Sequence, residues 1–281
     1  MGILIDGKKI AAAINKKTAT EITKLKKRGL KPKLAVVFVG NHKPSATYIQ
    51  RKKEAAEKVG IEFAIHRFPT SISKNKLTEE IKNIQEDKNI CGLIIQLPLP
   101  ERLYSSEVLN AVNPDIDVDC LTDTNVGKLV MGTGYILPPT PNAVLEVLKH
   151  LKIKLKGKNV TIVGTGALVG RPLAIMMANA GSSVITCNSR TNNTKEKCLE
   201  SEIVVTAVGK KNLLRGDMIK NKTVVIDTGI AFDNGKMCGD ANREEILKKC
   251  SYLTPTPGGI GPITVALLLR NTLLCALRRK I

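Results

Sequence analysis

Three side chains, Ser45, Tyr48 and Lys52, stand at offsets of three and four along the chain. In a helix those offsets bring them onto one face. A lysine beside an aromatic ring and shielded from water loses proton affinity, and can then act as a base or a proton relay. Gln96 opens a second run, Gln96-Leu-Pro-Leu-Pro100. Its prolines make a stiff corner, and a glutamine there can donate and accept. Three alternating acids follow in Pro114-Asp-Ile-Asp-Val-Asp119. They could form a metal loop, although the glycine and distal glutamate of an EF-hand are missing. One buried carboxylate reading an N–H-rich heterocycle is the equal alternative.

Two further segments are rich in glycine. Gly164-Thr-Gly-Ala-Leu-Val-Gly170 has the spacing GxGxxxG, one residue longer than the common GxGxxG. Its glycines let the backbone turn tightly and approach a pyrophosphate, which then sits at the start of the following helix. The acid that usually lies about 20 residues on, to hold a ribose 2′-hydroxyl, is absent. Asn188-Ser-Arg-Thr191 stands there, and the Ser189 hydroxyl and Arg190 guanidinium suit a 2′-phosphate better. Leu253-Thr-Pro-Thr-Pro-Gly-Gly-Ile-Gly-Pro-Ile-Thr264 carries three prolines and three glycines. It reads as a shaped loop, neither helix nor strand, leading into the last helix.

These groups need a scaffold, and the hydrophobic periods supply one. Residues 7–29, 45–59, 76–87, 142–151, 172–180 and 262–279 read as helices. Short apolar runs at 34–39, 61–67, 91–95, 159–163, 183–187, 203–205 and 223–226 read as strands. Gly60 is a helix stop after Val59. The alternation implies two α/β lobes with parallel sheets and a cleft between them, ligands lying beyond the carboxyl ends of the strands.

Composition excludes several classes. The 281 residues are ample for a buried core, and 43% hydrophobic with 25% charged is ordinary for a globular chain. No uninterrupted apolar run approaches the roughly 18–20 residues of a membrane span, since Thr264–Leu277 is broken by Arg270 and Asn271. Asp6, Lys8 and Lys9 stand where a secretory signal needs its apolar stretch. Seven scattered cysteines without a CxxC pair favour a reducing compartment, hence a cytoplasmic protein, and three dispersed histidines give no metal site. The net charge of +19 invites a nucleic-acid reading, but only 3% aromatics offer little to stack on bases. Most of the lysines read as solvated helix faces, and their field also draws in anionic ligands such as phosphates or polycarboxylates.

In order and spacing, these segments resemble the bifunctional methylenetetrahydrofolate dehydrogenase/cyclohydrolase family over essentially the whole chain. The resemblance rests on Ser45-x-x-Tyr48-x-x-x-Lys52, Gly92 to Pro100, Asp117-Val-Asp119, Thr140-Pro141, Gly164 to Gly170 with Pro172, Ser189-Arg-Thr191, Asp227-x-Gly-Ile230, Gly239-Asp240 and Pro257 to Pro262. It implies a folate-binding catalytic domain over 1–138 plus 262–281 and a Rossmann-type dinucleotide-binding domain over 139–261, the C-terminal helix returning to the first lobe. It implies oxidation of 5,10-methylenetetrahydrofolate to the methenyl form and hydrolysis of that to 10-formyltetrahydrofolate, with NADP as cofactor and NAD as the alternative. Lys52, Tyr48, Gln96 and Asp119 take the catalytic positions; Ser45, Tyr48, Asp119, Pro257, Gly258 and Gly259 meet the folate, which carries one or more glutamates. Gly164, Thr165, Gly166, Gly170, Ser189, Arg190 and Ile230 meet the cofactor, and no metal is implied. The partner is a second copy of the chain, paired through the cofactor domains, with no nucleic acid or membrane. Departures from the family pattern are Thr165-Gly166 for Arg-Ser, Asn188 for His, Cys120 for Gly and Pro139 for Cys. The competing readings are a dehydrogenase alone with altered cofactor preference, and a basic nucleic-acid-binding protein.

Overall fold

The computed structural model describes residues 1–278. In chain order it contains β1 (Ile3–Leu4), α1 (Gly7–Lys27), β2 (Lys33–Val39), α2 (Lys43–Val59), β3 (Glu62–Phe68), α3 (Lys74–Ile84), β4 (Ile90–Ile95), α4 (Ser106–Leu109), α5 (Asp123–Val130) and α6 (Pro139–His150). Then come β5 (Asn159–Val163), α7 (Gly170–Asn179), β6 (Ser183–Cys187), α8 (Thr194–Glu200), β7 (Ile203–Thr206), β8 (Val224–Asp227), β9 (Ala231–Asp233), β10 (Lys236–Cys238), α9 (Arg243–Leu247), β11 (Tyr252–Leu253) and α10 (Ile260–Arg278). The expected end of the last helix at Arg279 and the domain limit at 281 lie outside the described residues.

The chain divides into two compact units. One comprises residues 12–139 together with the chain from Val265 on. Its sheet has the order β3-β2-β4, all parallel. β2 is central and buried on both faces, which is why its sequence is an unbroken apolar run. Successive residues point to opposite faces. Leu34, Val36 and Phe38 join a core with Ile22 of α1, Ile49 and Ala56 of α2 and Leu269 of α10. Ala35, Val37 and Val39 join a second core with Leu77, Ile81 and Ile84 of α3.

The other unit comprises residues 1–11 and 140–264. Its sheet order is β1-β11-β8-β7-β5-β6, parallel throughout. The order reverses at β5, which lies between β6 and β7, and such a reversal opens a crevice at the strands' carboxyl ends. The first eleven residues, expected in the other lobe, fold here because Ile3 and Leu4 pair in register with Tyr252 and Leu253. β9 and β10 form a hairpin turned by Asn234 and Gly235 at φ 49° and 75°, the backbone that an Asn-Gly pair favours.

The shaped loop is shorter than its sequence suggests: Leu253 closes β11 and α10 begins at Ile260. Pro262 is therefore helical, in the first turn, where an amide N–H has no intrahelical partner to lose. α10 is long and apolar enough to cross a membrane by length and composition, and 67% of its most apolar stretch is buried inside the protein. Asn271, which interrupts it, is buried and donates to the Val118 and Leu137 carbonyls at 2.9 Å.

Candidate active site

α2 carries the first group of side chains. Pro44 lies in its first turn, and Gly60 closes it in the left-handed conformation, its N–H reaching the Ala56 and Glu57 carbonyls. Between those ends Lys52 is only 5% exposed. Its Nζ donates to Gln96 Oε1 at 3.0 Å and lies 4.8 Å from the centre of the Tyr48 ring. Gln96 stands just past the carboxyl end of β4. Its Nε2 donates to the Leu97 carbonyl at 2.7 Å, which fixes the amide so that oxygen faces the lysine. Ser45 Oγ donates to the same carbonyl at 3.5 Å and meets His42 Nδ1 at 2.8 Å.

Burial holds the Lys52 ammonium below the ordinary lysine range, and the Asp119 carboxylate opposes that shift. Burial pushes Asp119 above the usual carboxylate range, with Lys52 pulling it down and Asp117 pushing it further up. The Tyr48 phenol is raised by burial and by Asp119, with Arg51 opposing, so it stays neutral. The site therefore holds an amine that releases its proton more readily than an ordinary lysine, in contact with a glutamine acceptor and an aromatic face.

The acidic run resolves into separate roles. Asp117 accepts from Leu121 N, Thr122 N, Thr122 Oγ1 and Asn125 Nδ2 at 3.1, 2.9, 2.8 and 3.0 Å. Its oxygens pin the entry to α5 and are not free for a cation. Asp119 accepts no hydrogen bond from any described residue, so its acceptor capacity is open to a ligand. Among the described residues no group of three or more His, Cys, Asp or Glu gathers as a metal would need. Cys120 holds φ 58°, a conformation that side chains other than Gly and Asn enter at a cost of about 1–2 kcal/mol. Its side chain belongs to the apolar core with Val118 and Ile136, and burial pushes the thiol up to about 12.

The glycine-rich turn belongs to the other unit. Gly164 takes φ 114°, and a Cβ on it would strike the Ala207 carbonyl. A Cβ on Gly170 would overlap the Gly164 carbonyl oxygen, so this residue sets the approach of α7 to the turn. Gly166 has open space where a side chain would stand. The turn opens on a cavity of about 630 Å³ whose lining includes Gly164, Thr165, Gly166, Ser189 and Lys210. Of the remaining expected cofactor residues, Gly170 lies beneath the turn, and Arg190 and Ile230 are exposed and outside that lining.

Two carboxylates hold the carboxyl edge of this sheet. Asp240 accepts from the backbone N–H groups of Val208, Gly209 and Lys210 at 2.7–2.8 Å. Asp227 accepts from Thr206 Oγ1, Gly229 N and Ala241 N at 3.1, 2.9 and 2.9 Å. Side chains on Gly229 or Gly239 would collide with Asp240 and Asp227 respectively. Asp240 thus places Lys210 at the cavity, a residue that sequence reasoning passed over; its position just beyond β7, at the ligand edge of the sheet, is the signal that nominates it. The expected folate residues Pro257, Gly258 and Gly259 lie in this unit also, apart in sequence and unit from Lys52. Gly258 takes φ 103°, its carbonyl accepts from Gly7 N at 3.1 Å, and Gly259 N donates to the Pro255 carbonyl at 2.7 Å.

Comparison with known proteins agrees with this layout. Residues 5–119 match the family "Tetrahydrofolate dehydrogenase/cyclohydrolase, catalytic domain", and residues 138–280 match its NAD(P)-binding domain. The "Bifunctional protein FolD" of Nautilia profundicola is 42% identical over 97% of this chain and 96% of its own. That of Bacillus subtilis is 39% identical over 98% of each. Among solved structures, the bifunctional FolD enzyme of Campylobacter jejuni superposes with a TM-score of 0.97 at 37% identity, covering 100% of both chains. The Trypanosoma brucei FolD complexed with NADP and an inhibitor gives 0.94 at 33% identity, covering 99% of both. Sequence and fold agree along the entire length, and the chain belongs to the tetrahydrofolate dehydrogenase/cyclohydrolase family.

Proposed function

We propose that this protein oxidises 5,10-methylenetetrahydrofolate to the 5,10-methenyl form with NADP and hydrolyses that product to 10-formyltetrahydrofolate, in one-carbon metabolism. The observation that carries the hydrolytic half is the buried Lys52 amine, held 3.0 Å from Gln96 Oε1 beside the Tyr48 ring. The methenyl carbon is cationic, and a water that adds to it must lose a proton. Lys52 Nζ in its neutral form takes that proton, and a second cation close by favours the neutral form. The ammonium then returns that proton to the departing ring nitrogen as its bond to the carbon breaks, and the hydroxyl on the carbon releases its own proton to solvent to leave the formyl C=O. Gln96 keeps the amine aimed, Tyr48 supplies a flat apolar face, and Asp119 accepts from the amino edge of the pterin. Ser45 braces the Leu97 carbonyl that orients Gln96.

The glycine turn fits a dinucleotide. Its backbone conformation, the open space over Gly166 and the adjoining cavity suit a pyrophosphate and the adenosine half beyond it. When bound, the nicotinamide supplies the hydride acceptor. Gly164, Thr165 and Gly166 approach the phosphates, and the Ser189 hydroxyl with the Lys210 ammonium reads the 2′-phosphate. Lys210 does the work that the resemblance gave to Arg190, and it compensates for Thr165-Gly166 where the family has Arg-Ser. Lys210→Gln should lower the kcat/KM ratio of NADP over NAD by about tenfold, the value of one charge-assisted contact; an unchanged ratio removes Lys210 from the 2′-phosphate site.

Residues 12–138 with the end of α10 serve as the folate-binding catalytic domain. Residues 139–261 with the first strand serve as the dinucleotide domain, whose Pro257-Gly-Gly259 segment meets the folate. The partner is a second copy of the chain. Phe232 of the dinucleotide domain is 58% exposed, apolar area that pairing would cover. Phe232→Asp should shift sedimentation toward the monomer mass; a dimer of unchanged strength places the interface elsewhere. The seven cysteines, all free, support action in the reducing cytoplasm, and the ligands are small molecules rather than nucleic acid or a membrane. The reading is tested by following both steps on one preparation. Hydride transfer without hydrolysis would leave a dehydrogenase alone, and steep salt-dependent binding to nucleic acid without turnover would overturn both halves.

A further inference from the structure

α10 is apolar through most of its length, and Asn271 within it is 1% exposed. A buried amide is costly unless its hydrogens are taken up. Here they are: Asn271 Nδ2 donates to the Val118 and Leu137 carbonyls, each at 2.9 Å. The reach is short because β4 puts no side chain in the way. A Cβ on Gly92 would fall 2.8 Å from Thr272 Oγ1 and 3.0 Å from a Val118 methyl, so α10 and the segment carrying Val118 meet over a glycine.

Val118 directly precedes Asp119. A peptide unit is planar, so the Val118 carbonyl shares one plane with the nitrogen and Cα of Asp119. Fixing that oxygen fixes the base from which the Asp119 side chain springs. The neighbouring residues are held as well. Leu93 N donates to the Ile116 carbonyl at 2.8 Å, and Cys120 N to the Asp117 carbonyl at 3.2 Å. The Asp117 carboxylate takes its four hydrogen bonds from Leu121, Thr122 and Asn125. Asn271 thus holds the peptide before Asp119, and Asp117 holds the residues after Cys120. Of these two carboxylates, that of Asp119 alone accepts nothing from the described residues, and the frame aims it.

We propose that Asn271 is a positioning residue for folate recognition, holding the peptide between Val118 and Asp119 so that the Asp119 carboxylate meets the amino edge of the pterin. The inference rests on the folate reading above, in which Asp119 makes the contact. Asn271 is buried and acts through Asp119. Its loss should therefore weaken folate binding and leave the proton transfer at Lys52 and the cofactor turn as they are. In kinetic terms KM for methenyltetrahydrofolate rises while kcat holds, the mark of an interaction made equally in the ground and transition states.

The test is a double-mutant cycle read by calorimetric titration of the full-length protein with tetrahydrofolate. Asp119→Ala is expected to weaken binding about 10–100-fold, the value of a charge-assisted contact. Asn271→Ser, too short to span both carbonyls, should weaken it about tenfold in the wild-type background and less than about twofold in Asp119→Ala. NADP affinity should not move. Asn271→Ser also loses core hydrogen bonds and will melt earlier, so Ile81→Ala, on the opposite face of the sheet, serves as a destabilised control and should keep the wild-type folate affinity. Should Asn271→Ser fail to fold, Gly92→Ala decides: its methyl wedges α10 away from Val118 with Asn271 in place, and should give the same pattern in both backgrounds. An effect that is absent, that is equally large in Asp119→Ala, that Ile81→Ala reproduces, or that lowers kcat with KM unchanged overturns the positioning role while leaving the folate site standing. Failure of the wild type to bind tetrahydrofolate overturns the folate reading, and this role with it.

Discussion

Lys52→Ala is expected to slow hydrolysis of methenyltetrahydrofolate by about 10²–10⁴-fold, the range of a positioned proton-transfer group. Cofactor binding should be unaffected, since the glycine turn lies in the other unit. Stopped-flow absorbance of the methenyl chromophore reads the first effect and nucleotide titration the second. Retained hydrolysis would falsify the role of Lys52. In the wild type the rate should climb with pH as the Lys52 ammonium loses its proton, below the ordinary lysine range because burial depresses it.

The same burial carries a stability signature of defined sign. The folded-state pKa lies below the unfolded value of 10.5, so the unfolded chain binds the proton more readily between the two. The penalty is therefore full below the folded pKa and fades as pH rises to the unfolded one. Lys52→Met removes it, and should raise the melting temperature at pH 7 while hydrolysis is lost. The gap to wild type should close as pH approaches 10.5. A gain in stability bought with a loss of turnover is what a group retained for chemistry produces.

Gly170→Ala has the second large effect. The new methyl would occupy the position of the Gly164 carbonyl oxygen, which is backbone and cannot turn aside. Either α7 withdraws from the turn or the turn loses its shape. A cost of about 2–4 kcal/mol is expected in denaturant unfolding, with hydride transfer lost before hydrolysis. Gly166→Ala meets open space at its Cβ and should unfold as wild type does, so any loss of nucleotide affinity there reports on the ligand rather than the fold. Equal stability of Gly170→Ala and wild type would mean that the close contact is not maintained in solution.

Sequence reasoning succeeded where a local pattern has a single physical outcome. β2 was legible because burial on both faces demands six consecutive apolar residues, and the end of α2 because Gly60 alone fits its left-handed position. Lys52, Gln96 and Tyr48 converge as their spacing and the strand edge imply. What escaped depends on contacts remote in sequence. β1 has two residues and no pattern of its own, and its partner lies near the other end of the chain. The hairpin of β9 and β10 carries an Asn-Gly turn signal, but three-residue strands leave no period to see. Nothing local says that Asp240 gathers three backbone N–H groups, and so nothing local sends Lys210, instead of Arg190, to the cavity.

The pairing of Ile3 with Tyr252 has a consequence for synthesis on the ribosome. The first strand is translated some 250 residues before the strand that receives it. At about 5–20 residues per second that is a wait of about 12–50 s, during which Ile3 and Leu4 have no ladder to join. The β3-β2-β4 sheet is complete in sequence by Ile95 and can form in the meantime. The dinucleotide sheet cannot complete this edge until Tyr252 and Leu253 have been translated, so a nascent chain halted before Tyr252 would expose β8 as an open edge, a template for pairing with its neighbours on the same message.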